Sequence, residues 1–254
     1  MTTVADHYED LLAAHYTWML GGDIEAVAAA QAELLRGLGL SRRPGEQATA
    51  VDLGCGPGPQ TLALARLGHA SVTAVDTSAT LLAELVAHAG RAGLAPAVHP
   101  VHADLRGVLP RTVAPGSVAT LVCMGDTLPH LPGRPDVQQL IADIATALRP
   151  GGSFVATYRD LTRELRGHDR FLPVRSCADR ILTCFLDYLD EDVVLVHDLL
   201  HTRRDGAWHL KTGSYPKLRL APAWLAAQCR AAGLEIRHDE ATPSGLRLLH
   251  AAKP

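Results

Sequence analysis

Val51-Asp-Leu-Gly-Cys-Gly-Pro-Gly-Pro-Gln-Thr61 joins an apolar run, Ala48 to Leu53, to a turn holding three glycines and then to a pattern that begins near Pro59 and carries Leu62, Leu64, Ala65 and Leu67. The run reads as a buried strand, and the spacing after Pro59 reads as a helix. Gly54, Gly56 and Gly58 let the backbone take unusual dihedrals and admit a ligand close to the main chain. The helix start adds N–H groups without partners. A strand, turn and helix in this order make a nucleotide cradle.

Two acids choose between nucleotides. The dinucleotide fingerprint G-x-G-x-x-G, counted from Gly54, wants its third glycine where Pro59 stands. The pattern is instead Asp-x-Gly-x-Gly-x-Gly, with Asp52 just ahead of the first glycine. A carboxylate there repels a pyrophosphate but can reach, directly or through water, the ammonium of an amino-acid tail. The next strand, Ser71 to Val75, ends in Asp76, at the spacing where an acidic side chain meets ribose hydroxyls. Both acids suit S-adenosylmethionine.

On these residues the chain resembles a class I S-adenosylmethionine-dependent methyltransferase. Asp52 to Gly58 matches the first motif of that family, and Val75-Asp-Thr-Ser78 matches its ribose-binding second. His102-Ala-Asp-Leu105 matches the loop whose acid faces the adenine amino group, and Leu148-Arg-Pro-Gly-Gly152 the turn before the fifth strand. The agreement spans residues 48 to 158 in the expected order. It implies an α/β fold, a doubly wound, mostly parallel seven-stranded Rossmann-like sheet, and S-adenosylmethionine as cofactor. The cofactor-binding residues it implies are Tyr16, Asp52, Gly54, Cys55, Gly56, Gly58, Asp76, Thr77, Asp104, Leu105, Met124 and Gly125.

With 254 residues and 47% hydrophobic content the chain can bury a sizeable core. A formal net charge of −3, with no basic tail or basic run, argues against a nucleic-acid backbone as the main partner and favours small molecules. The five cysteines, Cys55, Cys123, Cys177, Cys184 and Cys229, show no C-x-x-C pairing, so neither a disulfide framework nor a metal site is expected. No signal peptide and no membrane-spanning apolar run is read, which makes a cytoplasmic protein the expectation. The Ala, Leu, Arg, Gly and Pro bias is consistent with a GC-rich bacterial source.

Residues 4–40 read as two helices. Tyr8, Leu11, Leu12, His15, Tyr16 and Met19 recur at helical spacing, Gly21-Gly22 breaks the run, and Asp23 can cap a second helix through Leu38. The resemblance implies that these helices form a lid over the cofactor, with Tyr16 or Trp18 closing on the methionine moiety or facing the sulfonium by a cation–π contact. Packing on the sheet is the equal alternative for each ring.

From residue 48 to 160 strand and helix patterns alternate, which implies a parallel sheet with the cofactor at the carboxyl ends of the strands. A helix is expected over Ser78 to Arg91 and another over Val137 to Leu148, with a strand over Val98 to His102. The fourth strand, Ser117 to Met124, opens into Gly125-Asp-Thr-Leu-Pro-His-Leu131. This loop resembles its counterpart in glycine and sarcosine N-methyltransferases and lacks the Asn/Asp-Pro-Pro-aromatic sequence of DNA and protein-glutamine enzymes. His130 can serve there as a base or acceptor ligand, or simply fix the loop; Asp126 is open to the same two readings. The fifth strand, Ser153 to Thr157, ends in Tyr158-Arg-Asp160. Arg159 can bind an acceptor carboxylate and Tyr158 can orient a nucleophile; the alternative is a structural pairing of Arg159 with a nearby acid.

Residues 161–220 read as three strands joined by two tight turns, at Asp190-Glu-Asp192 and Asp205-Gly206, forming an antiparallel cap. Arg175, Tyr188, His197, His201, Tyr215 and Arg219 are candidate substrate residues on it. Residues 221–254 read as a last helix from Pro222 and two closing strands, Leu234 to His238 and Leu246 to His250, antiparallel at one edge. The chain is expected to be a single methyltransferase domain.

Methyl transfer from a sulfonium gains mostly from alignment and exclusion of water, and needs a base only where the acceptor arrives protonated. The expected reaction is transfer to nitrogen or oxygen of a small acceptor, an amino acid or a natural-product intermediate. Cyclisation of the cofactor to methylthioadenosine, and a non-catalytic S-adenosylmethionine sensor, are the alternatives. The sequence leaves oligomeric state open.

Overall fold

A computed structural model describes residues 3–43, 45–243 and 245–254. The chain starts in α1 (Val4–His7), passes through a π-helical segment, Tyr8–Leu12, into α2 (Ala13–Met19), and continues in α3 (Ile24–Gly37). Thr3 and Asp6 cap the start reciprocally, and the Asp23 carboxylate accepts from Ala26 N at 3.0 Å to open α3. Gly21 and Gly22, both at positive φ, end the first run as their sequence suggests.

The core follows as β1 (Thr49–Leu53), α4 (Pro59–Arg66), β2 (Ser71–Asp76), α5 (Ala79–Arg91), β3 (Val98–His102), α6 (Leu109–Thr112), β4 (Val118–Cys123), α7 (Arg134–Ala147) and β5 (Leu148–Tyr158). After β6 (Phe171–Ser176), β7 (Arg180–Tyr188), β8 (Val193–Arg204) and β9 (Ala207–Leu218), the chain returns through α8 (Pro222–Ala231) to β10 (Glu235–Ala241) and β11 (Arg247–Ala252). The main sheet has seven strands in the order β10-β11-β5-β4-β1-β2-β3. β11 is antiparallel to both its neighbours and every other pairing is parallel. The strand order reverses between β1 and β4, and the crevice beyond their carboxyl ends is where a doubly wound sheet binds its ligand.

Alternation along the central strands sends side chains to two covered faces. Ala50, Val72, Val122 and Val155 pack against Leu35 of α3 and Leu64 of α4, while Ala74 packs with Leu85 of α5. Val51, Leu53, Leu121 and Phe154 pack on the opposite face with Leu140 and Ile144 of α7 and Leu225 of α8. Each of the valine, leucine, isoleucine and phenylalanine side chains, fully withdrawn from water, contributes about 1.5–3 kcal/mol. The turn before the fifth strand lies inside β5. Leu148 pairs with Val118 and Ser153 with Thr120, so residues 149–152 bulge out, with Gly151 at φ 72°.

The cap differs from the sequence reading in one element. It is a separate sheet of four strands, β6-β7-β8-β9, rather than three. β6 escapes the alternation test because Pro173 interrupts it and the register shifts between Pro173 and Arg175. The expected turns are in place: Asp205 and Gly206, both at positive φ, join β8 to β9 as a two-residue hairpin. Among the described residues no helix is long and apolar enough to cross a membrane, and no group of three His, Cys, Asp or Glu side chains is placed to hold a metal ion.

Candidate active site

A cleft of about 470 Å³ opens at the carboxyl ends of β1 to β4, closed from above by the α1–α2 segment and on one side by β9. Its floor is backbone. Gly54 and Gly56 stand at positive φ after β1, and a Cβ on Gly54 would lie 2.3 Å from the Thr127 methyl. A Cβ on Gly56 would point at the Tyr16 ring, 3.5 Å away, so a ligand on this turn lies under that ring. Gly58 serves packing instead: at φ 95° it caps α4, and a Cβ there would meet Leu85 at 2.1 Å. Cys55 is buried with its thiol turned back to the Gly56 carbonyl, and neither Gly58 nor Cys55 lines the cleft.

Asp76 lines the cleft at the end of β2. Its Oδ2 accepts from Gly56 N at 2.8 Å and its Oδ1 from Ser78 N at 2.9 Å, so the carboxylate ties the glycine turn to the start of α5. Burial raises its pKa, and the N–H groups of Ser78 and Gly56 oppose that rise. Thr77, Asp104 and Leu105 line the same wall. The Asp104 carboxylate is held by Arg106, which lowers its pKa. Asp52 is placed differently from its expected reach toward the ligand. It is buried, faces α4, accepts from Thr61 Oγ1 at 2.6 Å and does not line the cleft. Burial pushes its pKa up to about 7. Met124 likewise packs in the core with Leu64 and Val155, while Gly125 lines the cleft and donates its N–H to Thr157 Oγ1 at 2.8 Å.

The end of the cleft beside β9 is built from three distant parts of the chain. His130, in a short 3-10 turn after β4, is stacked on Tyr215 of β9, with ring centroids 5.3 Å apart. The Tyr8 hydroxyl lies 3.4 Å from His130 Nε2. Burial, and after it the Lys217 ammonium, hold the His130 pKa well below its ordinary value, so the ring is neutral at pH 7, and its buried Nδ1 has no partner among the described residues. Lys217 lines the cleft and donates to Asp126 Oδ2 at 2.6 Å. Asp126 stands at φ 75°, and its Oδ1 accepts the Arg159 N–H at 2.7 Å.

Two expected acceptor residues are corrected. Tyr158 is fully buried among the side chains beneath α7 and α8, because its parity on β5 is that of Phe154 and Ala156. Arg159 does not line the cleft: its guanidinium extends toward Gly245, its Nε lies 4.0 Å from Asp126 Oδ2 and its backbone N–H donates to Asp126 Oδ1, a structural pairing with a nearby acid. Of the cap candidates, Tyr215 reaches the site. Arg219 instead donates to the carbonyls of Leu161 and Thr162, His197 and His201 face away on β8, Arg175 donates to the Gly21 carbonyl and Tyr188 lies beneath Arg219. Trp18 packs under Arg180, leaving Tyr16 and Tyr8 as the rings over the cleft. Lys217, Tyr8 and Thr127 went unread as site residues. Strand parity carries the signal for Lys217, which shares the inward face of β9 with Tyr215.

The glycine cradle under Tyr16, the carboxylate of Asp76 and the apolar wall of Leu81 and Leu105 fit an adenosyl group with an amino-acid tail. Residues 50–152 match the family model of a methyltransferase domain. This segment, which holds the glycine turn, Asp76 and Asp104, is similar to a methyltransferase domain. Solved structures resemble it along almost their whole length. The CcbJ methyltransferase from Streptomyces caelestis is 21% identical, with 97% of this chain and 98% of that one covered at a TM-score of 0.76. An S-adenosylmethionine-dependent methyltransferase from Clostridium acetobutylicum is 16% identical over 97% and 96%, at 0.72. The S-adenosylmethionine-bound CalS10, an amino pentose methyltransferase from Micromonospora echinaspora involved in calicheamicin biosynthesis, is 18% identical over 95% of each chain, at 0.71. No curated protein sequence matches the chain significantly.

Proposed function

We propose that the protein methylates a nitrogen or oxygen of a small natural-product intermediate, and that an amine on a sugar-like ring is the acceptor its site suits best. The neutral His130, with its unpartnered Nδ1, carries this reading. A neutral imidazole in a buried cluster takes a hydrogen bond from an acceptor N–H or O–H and orients the lone pair on the same atom. Bound S-adenosylmethionine supplies an activated methyl group on a positively charged sulfur. Gly54, Gly56, Asp76 and Tyr16 would hold it, and Tyr8 and Tyr16 keep water from the cleft. The positive charge of Lys217, which already disfavours protonation of His130, likewise favours the uncharged form of an acceptor amine. Arg159 plays no part in acceptor binding in this reading. The amino pentose activity of CalS10 supports a sugar amine over an amino acid.

The test is incubation with S-adenosylmethionine and pooled amino sugars, amino acids and small amines, followed by mass spectrometry. Acceptor-dependent S-adenosylhomocysteine together with a product heavier by one methylene is expected. Methylthioadenosine formed without any acceptor would overturn the transferase reading, and preferential turnover of free amino acids would overturn the choice of acceptor.

A further inference from the structure

We propose that the outer face of the cap sheet is the interface of a homodimer, in which β6 to β9 of one copy pack face to face on the same strands of a second. The inner face of this sheet is accounted for: Leu182, Leu186, Val194, Leu200 and Tyr215 are buried against the lid and the cleft. The outer face should then be polar, as it is in antiparallel sheets with one side in water. It is not. Phe171, Ile181, Trp208 and Leu210 are all large, apolar and 37% or more exposed, and Val174, at the register shift of β6, is 40% exposed. Among the described residues only Val86 and Leu189 share that exposure elsewhere. The register lines these residues up across the sheet. Ile181 is opposite His201, which is opposite Leu210, and Phe171 is opposite Phe185, with ring centroids 4.7 Å apart. A sheet apolar on both faces is the half of a sandwich.

A second copy is the occupant that the area and charge favour. Four strands at about 4.8 Å spacing, over about nine residues of about 3.4 Å each, present about 600 Å². Doubling that face reaches about 1,200 Å², the lower bound for a stable interface. A two-fold contact sets a patch against itself, so it needs a patch without unpaired charge at its centre. Here Thr183, Thr212, Ser214 and the imidazoles of His197 and His201 lie between the apolar side chains, and the one acid on β7, Asp187, is held by Arg170 at 2.5 Å. An extended peptide would pair with the edges, β6 or β9, and leave the face bare. Because β9 carries Tyr215 and Lys217 on its inner side, the same contact stiffens one wall of the cleft.

Sedimentation velocity from about 1 to about 100 μM, a span that brackets modest affinities, tests the proposal. The wild-type chain is expected at twice its 27.1 kDa mass. Ile181→Glu combined with Leu210→Glu should sediment as a monomer while keeping its circular dichroism and its thermal stabilisation by S-adenosylhomocysteine. Val86→Glu, an equally exposed apolar position on α5, should stay dimeric. If the double variant loses its fold, Thr212→Arg on the same face replaces it. A wild-type monomer across the range, a dimer untouched by the face variants, or a monomeric Val86→Glu would each overturn the assignment.

Discussion

Asp52 shows how one residue in a motif can serve the fold while its neighbours Gly54 and Gly56 line the cleft. It sits on the covered side of β1, 1% exposed, with Thr61 as its hydrogen-bond donor, and its pKa is pushed from 3.8 to about 7 by burial. Between those two values the native carboxyl keeps a proton that the unfolded one has lost. The native state therefore binds more protons, and stability falls as pH rises through this window. Asp52→Asn keeps an acceptor for Thr61 and removes the ionisation. It should match the wild type near pH 4 and exceed it at pH 8 by an amount on the order of 3 kcal/mol. Urea denaturation at both pH values measures this, and an identical gain or loss at both would mean that Asp52 ionises normally. Lys217 and Asp126 make a second residue-scale case, with side chains 9% and 13% exposed and 2.6 Å apart. Lys217→Met takes the close cation from a nearly buried carboxylate, leaving it the Arg159 N–H and the Arg159 guanidinium at 4.0 Å, and should cost about 2–3 kcal/mol, most of which Lys217→Met with Asp126→Asn recovers. A double-mutant cycle on melting temperature checks this, and additive losses would deny the coupling.

At the scale of elements, the lid is held by contacts that no local pattern announces. His7 Nε2 lies 2.8 Å from Asp198 Oδ2, both side chains buried, and the Glu9 carboxylate takes the hydroxyls of Ser78 and Thr80. The His7 ring rests on bare backbone: a Cβ on Gly213 would meet its Nδ1 at 2.6 Å. Gly213 lies in β9 without a positive φ, so alanine fits the strand and clashes only with the lid. Gly213→Ala should leave the core folded, open the α1–α2 segment to limited proteolysis, and weaken S-adenosylhomocysteine binding about tenfold, the equivalent of about 1.4 kcal/mol. Calorimetry with unchanged affinity would show that the docked lid contributes nothing to cofactor binding. This contact marks what the sequence could convey. Strands β1 to β4 and helices α4 and α5 were legible because period, glycine turn and helix start agree within short windows. The Gly54–Gly56 turn and Asp76 were legible for the same reason. β6 was not, since Pro173 and a bulge hide its alternation. Tyr8, Lys217 and the fit of His7 on Gly213 depend on β9 register and lid docking, which are set by contacts such as His7 with Asp198, 191 positions apart, and His7 with Gly213.

At the scale of the whole molecule, the two sheets share no strand pairing, yet the cleft takes its lining from the lid, the main sheet and β9. Two buried joints tie the cap to the rest. Arg219, 5% exposed, donates to the Leu161 and Thr162 carbonyls and to Glu164, while Leu218 and Leu220 continue from β9 into the core beneath α7 and α8. A cap joined this way has no core of its own that closes without the lid, because its inner face packs on Val4, Tyr8 and Leu11. The sheets should therefore unfold together, and a ligand bound between them should stabilise both. At a concentration one hundred times its Kd, S-adenosylhomocysteine adds about 2.7 kcal/mol. For a chain of this length that raises the melting temperature by about 5–10 °C. Differential scanning calorimetry should show one transition before and after ligand, displaced as a whole. Two transitions, of which the ligand moves only one, would mean that the cap folds independently and that a single cooperative domain is the wrong description of this chain.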